Sequence, residues 1–253
     1  MVEPNTTERK YILASWTTLT IPLSITIEKP KTTDGKKWLS IMRPTRRQQQ
    51  PGFFHGLWGR VIESPETVWF ITGWTSAESL SAFEASPAAA TQFQRLAAIS
   101  TLPPSTVHVN FTGFWWDRVT AFTGVMDAHF SPVLSPAVRL EIEDLRSLVY
   151  FLSPGPTEPK AMNGRGVRGF IQEEEGGEVV MRFIDFWNDE EREKDFKKSA
   201  GVMLDGKWEG VWEHLLRGLR ERRMVKFIER HCAFEHFPTH FFGTEESDLS
   251  LWE

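Results

Sequence analysis

Two runs of β-branched and aromatic residues, FFHGLWGRVIE (53–63) and TVWFITGW (67–74), flank Ser64-Pro65-Glu66. Proline presets φ for a chain reversal, so the pattern predicts a β-hairpin. Thr75 or Ser76 can then cap a helix with Glu78 in its first turn, where a carboxylate suits the helix dipole. Leu80 and Phe83 put apolar groups on one face of that helix. The pattern recurs 113 residues later, counting from Phe70 to Phe183. Phe183, Ile184, Trp187, Glu191, Phe196 and Ser199 fall where Phe70, Ile71, Trp74, Glu78, Phe83 and Ser86 fell, six identities in 17 positions. This is the mark of a repeated hairpin-plus-helix unit.

The flanking residues extend the pattern. Residues 10–22 read as a strand, 36–50 as a helix, 88–99 as a continuation of the helix capped at 75–76 and 106–111 as a closing strand. The expectation is a β-α-β-β-α-β repeat over residues 1–114, a connector over 115–136, a second repeat over 137–237 and a tail over 238–253. A short helix is expected near 117–126 in the connector, with Trp115-Trp116 packing between the halves. In the second repeat, Val138–Leu145 reads as the opening strand, Pro- and Gly-rich 153–166 replaces or shortens a helix, and Gly176-Gly177 turns the hairpin. A helix over 189–199, another over 208–222 and a strand over 224–235 follow. A β-α-β-β-α-β unit is ferredoxin-like, with both helices on one face of an antiparallel sheet. The fold class is therefore α+β, and a second sheet supplies cover for the bare face of the first.

Composition narrows the classes. The chain has 253 residues, 40% hydrophobic and 25% charged, so it can bury a core in one domain or two. A net charge of −5 with scattered positives speaks against nucleic acid or an anionic membrane as partner. No apolar run is long enough to span a bilayer, and the polar N-terminus does not read as a secretory signal, so a cytoplasmic location is expected. The single cysteine, Cys232, excludes an intrachain disulfide and a thiolate metal site. The aromatic content stands out: 11 Trp and 19 Phe against 2 Tyr. Such residues build either a Trp-heavy core or a pocket for a planar ligand.

The residues Leu57-Trp58-Gly59-Arg60, Glu63 before Pro65, Trp74 with Thr75-Ser76, and Phe83 before Ser86-Pro87 resemble the dimeric α+β barrel superfamily. The likeness is to the tandem-repeat, fungal branch of the antibiotic-biosynthesis-monooxygenase and stress-responsive type. It covers about residues 10–237. The second repeat keeps Trp187, Asn188-Asp189, Phe196 and Ser199 but has Ile171-Gln172-Glu173 for the Trp-Gly-Arg segment. The resemblance implies two ferredoxin-like repeats forming an intrachain barrel, as a monomeric pseudo-dimer or a homodimer, with a ligand cavity between sheet and helices. It also implies small-molecule chemistry: cofactor-independent oxygenation, polyketide cyclisation or isomerisation, alongside haem enzymes, for which nothing here marks a proximal histidine, and members with no known reaction. The Tyr/His pair of the cyclases maps onto Phe83 and Ala89, and onto Phe196 and Val202, and neither repeat retains it.

Strand alternation assigns Phe70, Thr72 and Trp74 to one face, and the resemblance sets Trp58 and Arg60 on the cavity side beside Gly56. Phe83 and His55 complete the expected binding set. Asp185, between Phe183 and Trp187, is an acid–base candidate because desolvation would raise its pKa. A pair with Arg182 or Arg168 is its structural alternative. Arg60 could hold a ligand oxygen or pair with Glu63 or Glu66. His108 could titrate near neutrality or simply be a satisfied strand histidine. His214, His231, His236 and His240 are too irregularly spaced to assign a metal, and no cofactor is expected. The GxGxxG match at 164–169 opens a strand rather than a helix and so is no dinucleotide motif. The expected protein is an enzyme acting on a hydrophobic aromatic molecule, of cyclase or isomerase type. A cofactor-free monooxygenase and a non-catalytic binding protein are the alternatives.

Overall fold

The structure, a computed structural model, describes residues 11–45, 50–112, 116–119, 122–132, 134–145, 162, 166–172 and 178–237. Trp115, Glu173, the Gly176-Gly177 turn, Gly164-Arg165, most of 153–166, His240 and the tail from Pro238 lie outside the described residues. Contacts divide the described chain into two units, residues 14–107 with 234–237, and residues 11–13 with 108–233. Among the described residues no helix is long and apolar enough to cross a membrane.

In the first unit β1 (Tyr11–Thr20), β3 (Ser64–Trp74), β2 (Phe53–Val61) and β11 (Glu235–His236) lie side by side in that order. The start of β4 (Ser105–Thr112) joins β1, where the Thr17 and Thr106 hydroxyls meet at 2.8 Å. β2 and β3 form the predicted hairpin, with Trp58 opposite Phe70 and Gly56 opposite Thr72, but the chain turns at Ile62-Glu63 and Ser64-Pro65-Glu66, read as the turn, opens β3. Helix α1 is Thr33–Met42, earlier than expected, because the Thr32 hydroxyl accepts from Gly35 N and fixes its start. α2 (Ala77–Glu84) begins at Ser76, as the capping pattern predicts. α3 (Pro87–Ala97) follows directly, with Ser86 as its cap and proline in its first turn.

The second unit orders β10 (Met224–Cys232), β5 (Phe122–Phe130), β7 (Val179–Trp187), β6 (Val167–Ile171) and the end of β4. Its opening differs from the expectation. Phe122–Phe130, read as connector, is a full strand, and Val138–Leu145, read as a strand, falls mostly in helix α4 (Pro136–Asp144). Ser135 caps that helix and Pro136 starts it, a signal stronger than local β-propensity. β5 becomes a strand because β7 and β10 pair it on both edges, which short-range propensity does not report. Beyond α5 (Glu190–Ser199), a small hairpin, β8 (Gly201–Leu204) and β9 (Lys207–Gly210), holds Trp208, and α6 (Val211–Glu221) starts after it. In both units the strands run fourth, first, third, second, which is the ferredoxin-like order. The tryptophans feed the cores: Trp16, Trp38, Trp74, Trp116 and Trp187 are all buried.

Candidate functional site

The first unit carries a cleft of about 400 Å³ between its sheet and helices α2 and α3. Phe70 and Thr72 of β3 form its floor, with Ser15 and Thr17 of β1 and Thr106 of β4 beside them. Leu80 and Phe83 of α2 and Leu96 of α3 make the apolar wall. These side chains share the cleft because successive strand residues alternate faces, which puts positions 70, 72 and 74 under the helices. Trp74 stands behind the wall, stacked on Phe83 with centroids 5.0 Å apart. Its indole N–H donates to Thr72 Oγ1 at 2.9 Å, which leaves the Thr72 O–H to donate elsewhere. Gln92 is spent on Ile41 O at 2.7 Å, so it braces α3 against α1. Phe93, 47% exposed, and Glu84 stand at the mouth. Among the described residues Glu84 is the one ionisable side chain in the lining.

Of the residues nominated from sequence, Phe70, Thr72 and Phe83 meet in this cleft, with Trp74 directly behind. The others sit elsewhere. Trp58 is buried edge-on against Trp38 at 5.3 Å, as a core residue. Phe237 fills the space left by Gly56, stacking on Phe53 and tilting onto Phe70. Arg60 is spent inside the protein: its guanidinium donates to the carbonyls of Ile21, Ile25 and Pro65 at 2.8–2.9 Å and pairs with Glu28. His108 is half-buried on β4 and outside the cleft lining, its carbonyl accepting from Gln172 N at 2.7 Å. His55 faces His236, ring nitrogens 2.8 Å apart. The cleft is thus lined by Phe and Thr, and its tryptophan lies one layer back.

Asp185 belongs to the second unit. It is fully buried in β7, and burial pushes its carboxyl up to about 7, against the opposing pull of the Lys197 charge. Among the described residues neither carboxylate oxygen has a hydrogen-bond partner. The two arginines that could have paired with it are engaged elsewhere: Arg182 grips Asp127 at 2.7 and 2.8 Å, and Arg168 donates to Glu143 O. Around it stands a polar group the sequence reading missed, made of Glu193 and Lys197 on α5 with Glu229 and His231 on β10. Burial works to raise the Glu193 pKa, yet hydrogen bonds from His231 and Lys197 hold its carboxylate below the usual range. The i, i+4 spacing of Glu193 and Lys197 was visible, but their meeting with β10 depends on tertiary pairing.

No family model and no curated protein matches the sequence. Solved structures do. A protein of Lactobacillus acidophilus NCFM provisionally assigned as a monooxygenase superposes with a TM-score of 0.55 at 9% identity, over 88% of this chain and 94% of that one. A Fusobacterium nucleatum protein of the same provisional assignment gives 0.56 at 7% identity, over 89% and 94%. An anthrone oxidase-like protein gives 0.57 at 12% identity, over 94% and 98%. The chain has their fold. It is an α+β fold, and likeness at this level of identity carries architecture without chemistry.

Proposed function

We propose that the protein is an enzyme of small-molecule metabolism that binds an aromatic, oxygen-bearing substrate in the first-unit cleft and oxidises it with dioxygen. The observation that carries this reading is the cleft itself. Its volume of about 400 Å³ suits two or three fused rings. Phe70 and Phe83 offer ring faces for stacking. The hydroxyls of Ser15, Thr72 and Thr106 offer donors and acceptors for phenolic and carbonyl oxygens. In cofactor-free oxidation the substrate's own carbanion supplies the electrons. A ring CH₂ and O₂ become a ring C=O and H₂O, and Glu84 is the carboxylate placed to take the first proton.

The monooxygenase and anthrone oxidase-like names borne by proteins of this fold support oxygenation over cyclisation. Cyclisation or isomerisation is the second reading, favoured by Glu84, since proton transfer alone would serve it. The test is to mix the protein with a hydroxylated anthrone and follow oxygen uptake together with the quinone absorbance. Uptake above the protein-free rate, with kcat/KM lowered about tenfold or more by Thr72→Val or Phe83→Ala, is expected. Conversion without oxygen uptake would move the assignment to the isomerase class. Quenching of tryptophan fluorescence with no product would leave a binding protein.

A further inference from the structure

Three ligand-bearing side chains converge on the helix face of the second unit's sheet. Glu193 of α5 and Glu229 and His231 of β10 each place one ligand atom within 4.8 Å of the other two. Two carboxylate oxygens and one imidazole nitrogen suit a first-row divalent cation, with a position left for water. The His231 ring is held in plane by stacking on Phe122 at 4.5 Å. The present counter-charge is Lys197, whose Nζ lies 2.7 Å from Glu193 Oε1 and 2.5 Å from Glu229 Oε1. His231 Nε2 also lies 2.9 Å from Glu193 Oε2; with that imidazole neutral, as a metal ligand is, one ammonium neutralises one of the two carboxylates, whereas a divalent ion neutralises both. Lys197 also has somewhere to go, because its Nζ lies 4.2 Å from the Trp212 ring centroid.

A second observation, independent of this cluster, points to a ligand. Asp185 is fully buried, and among the described residues both its carboxylate oxygens are bare of hydrogen bonds. In register, Asp185 faces Gly124 of β5, and Gly124 faces His231 of β10. Asp185 and His231 therefore stand on one sheet face, with the edge of the Trp187 indole over Gly124, its Nε1 3.0 Å from where a Cβ would stand. A buried carboxyl left bare calls for an ion or an ordered water.

We propose that Glu193, Glu229 and His231 bind a first-row divalent cation in exchange for the Lys197 ammonium, and that Asp185 accepts a hydrogen bond from water on that ion. The ligands come from elements far apart in the chain, which is why spacing alone assigned no metal. The site shares no residue with the cleft of the first unit.

The test is calorimetric titration of the chelator-treated full chain with ZnCl₂ and with MnCl₂, backed by the visible absorption of Co²⁺. One ion per chain is expected for Zn²⁺ or Mn²⁺. Glu229→Gln and His231→Gln should each weaken binding about tenfold or more, and Asp185→Val should weaken it by a similar factor. Lys197→Met should tighten binding about tenfold, since it removes the tethered competitor. Glu190→Gln on the exposed face of the same helix should change nothing. Thermal melts identify any variant that has lost its fold, and Lys197→Met, read as a gain, does not depend on such loss. Absence of binding at millimolar metal in both the wild type and Lys197→Met overturns the proposal. So does binding that survives Glu229→Gln and His231→Gln unchanged.

Discussion

The ring of Phe237 occupies the place a Cβ on Gly56 would take, its Cδ2 only 2.3 Å from that position. The same residue's N–H donates to Gly56 O at 3.0 Å, so backbone and ring are fastened at one point. Through Phe237 the strand β11 closes the first unit next to Phe70, a floor residue of the cleft. Glycine is required here for space, since a methyl group would drive out a buried aromatic ring.

Gly56→Ala is therefore expected to destabilise the protein by about 1–3 kcal/mol, as overpacking a filled site does. The loss should be matched closely by Phe237→Ala, which leaves a cavity at the same place. Combining the two should cost clearly less than the sum of the single effects, because the added methyl would enter the space the ring vacated. Urea unfolding of the four proteins measures this, and additive losses would show that the ring and the glycine are not in contact.

The hairpins and their helices were legible in the sequence because their signals are local. Trp74 on Phe83 at 5.0 Å has a counterpart in Trp187 on Phe196 at 5.4 Å, and the caps Ser76 and Asp189 stand 113 positions apart. Period-2 alternation also placed Phe70 and Thr72 under the helices. What the sequence could not report was which long-range partner each polar group finds. Arg60 sits in a motif that suggests a ligand, yet its guanidinium clamps the loop carbonyls of Ile21 and Ile25. Phe122–Phe130 carries too mixed a pattern to declare itself a strand before β7 and β10 pair with it. Glu193 and His231 lie 38 residues apart and meet only through packing.

Asp185 is held at a cost. A buried carboxyl without hydrogen bonds is worth about 1–3 kcal/mol of lost stability. Asp185→Val, which suits a strand and removes the bare oxygens, is expected to raise the melting temperature. The sign with pH follows from the carboxyl's shift from an ordinary 3.8 to about 7. The folded state keeps a proton that the unfolded state gives up, so wild-type stability falls as pH rises across that window and levels off above it. Melting curves between pH 4.5 and 8 should show the advantage of the Val variant growing to about pH 7, by an amount on the order of a few kcal/mol. A constant difference across the range would mean that Asp185 is charged in the folded protein throughout.

The His55–His236 contact predicts the opposite response at the edge of the first unit. Two imidazoles 2.8 Å apart share one proton as donor and acceptor, and that bond is lost when both are charged. Burial holds His236 below the usual histidine value. Its neighbour Glu235, whose pKa burial and the charge of Glu28 raise, carries correspondingly less compensating negative charge in acid. A depressed histidine contributes stability that is present above about pH 6.5 and is lost as pH falls through the folded value. Acidification from pH 7.5 to 5.5 should thus loosen β11, and Phe237 with it. His236→Gln keeps a hydrogen-bonding group that cannot be charged, so the wild type should lose more stability over that interval than the variant. Amide exchange at Phe237, whose N–H is tied to Gly56 O, reads the loosening directly. Equal exchange at both pH values, corrected for the intrinsic rate, would remove the histidine pair as its cause.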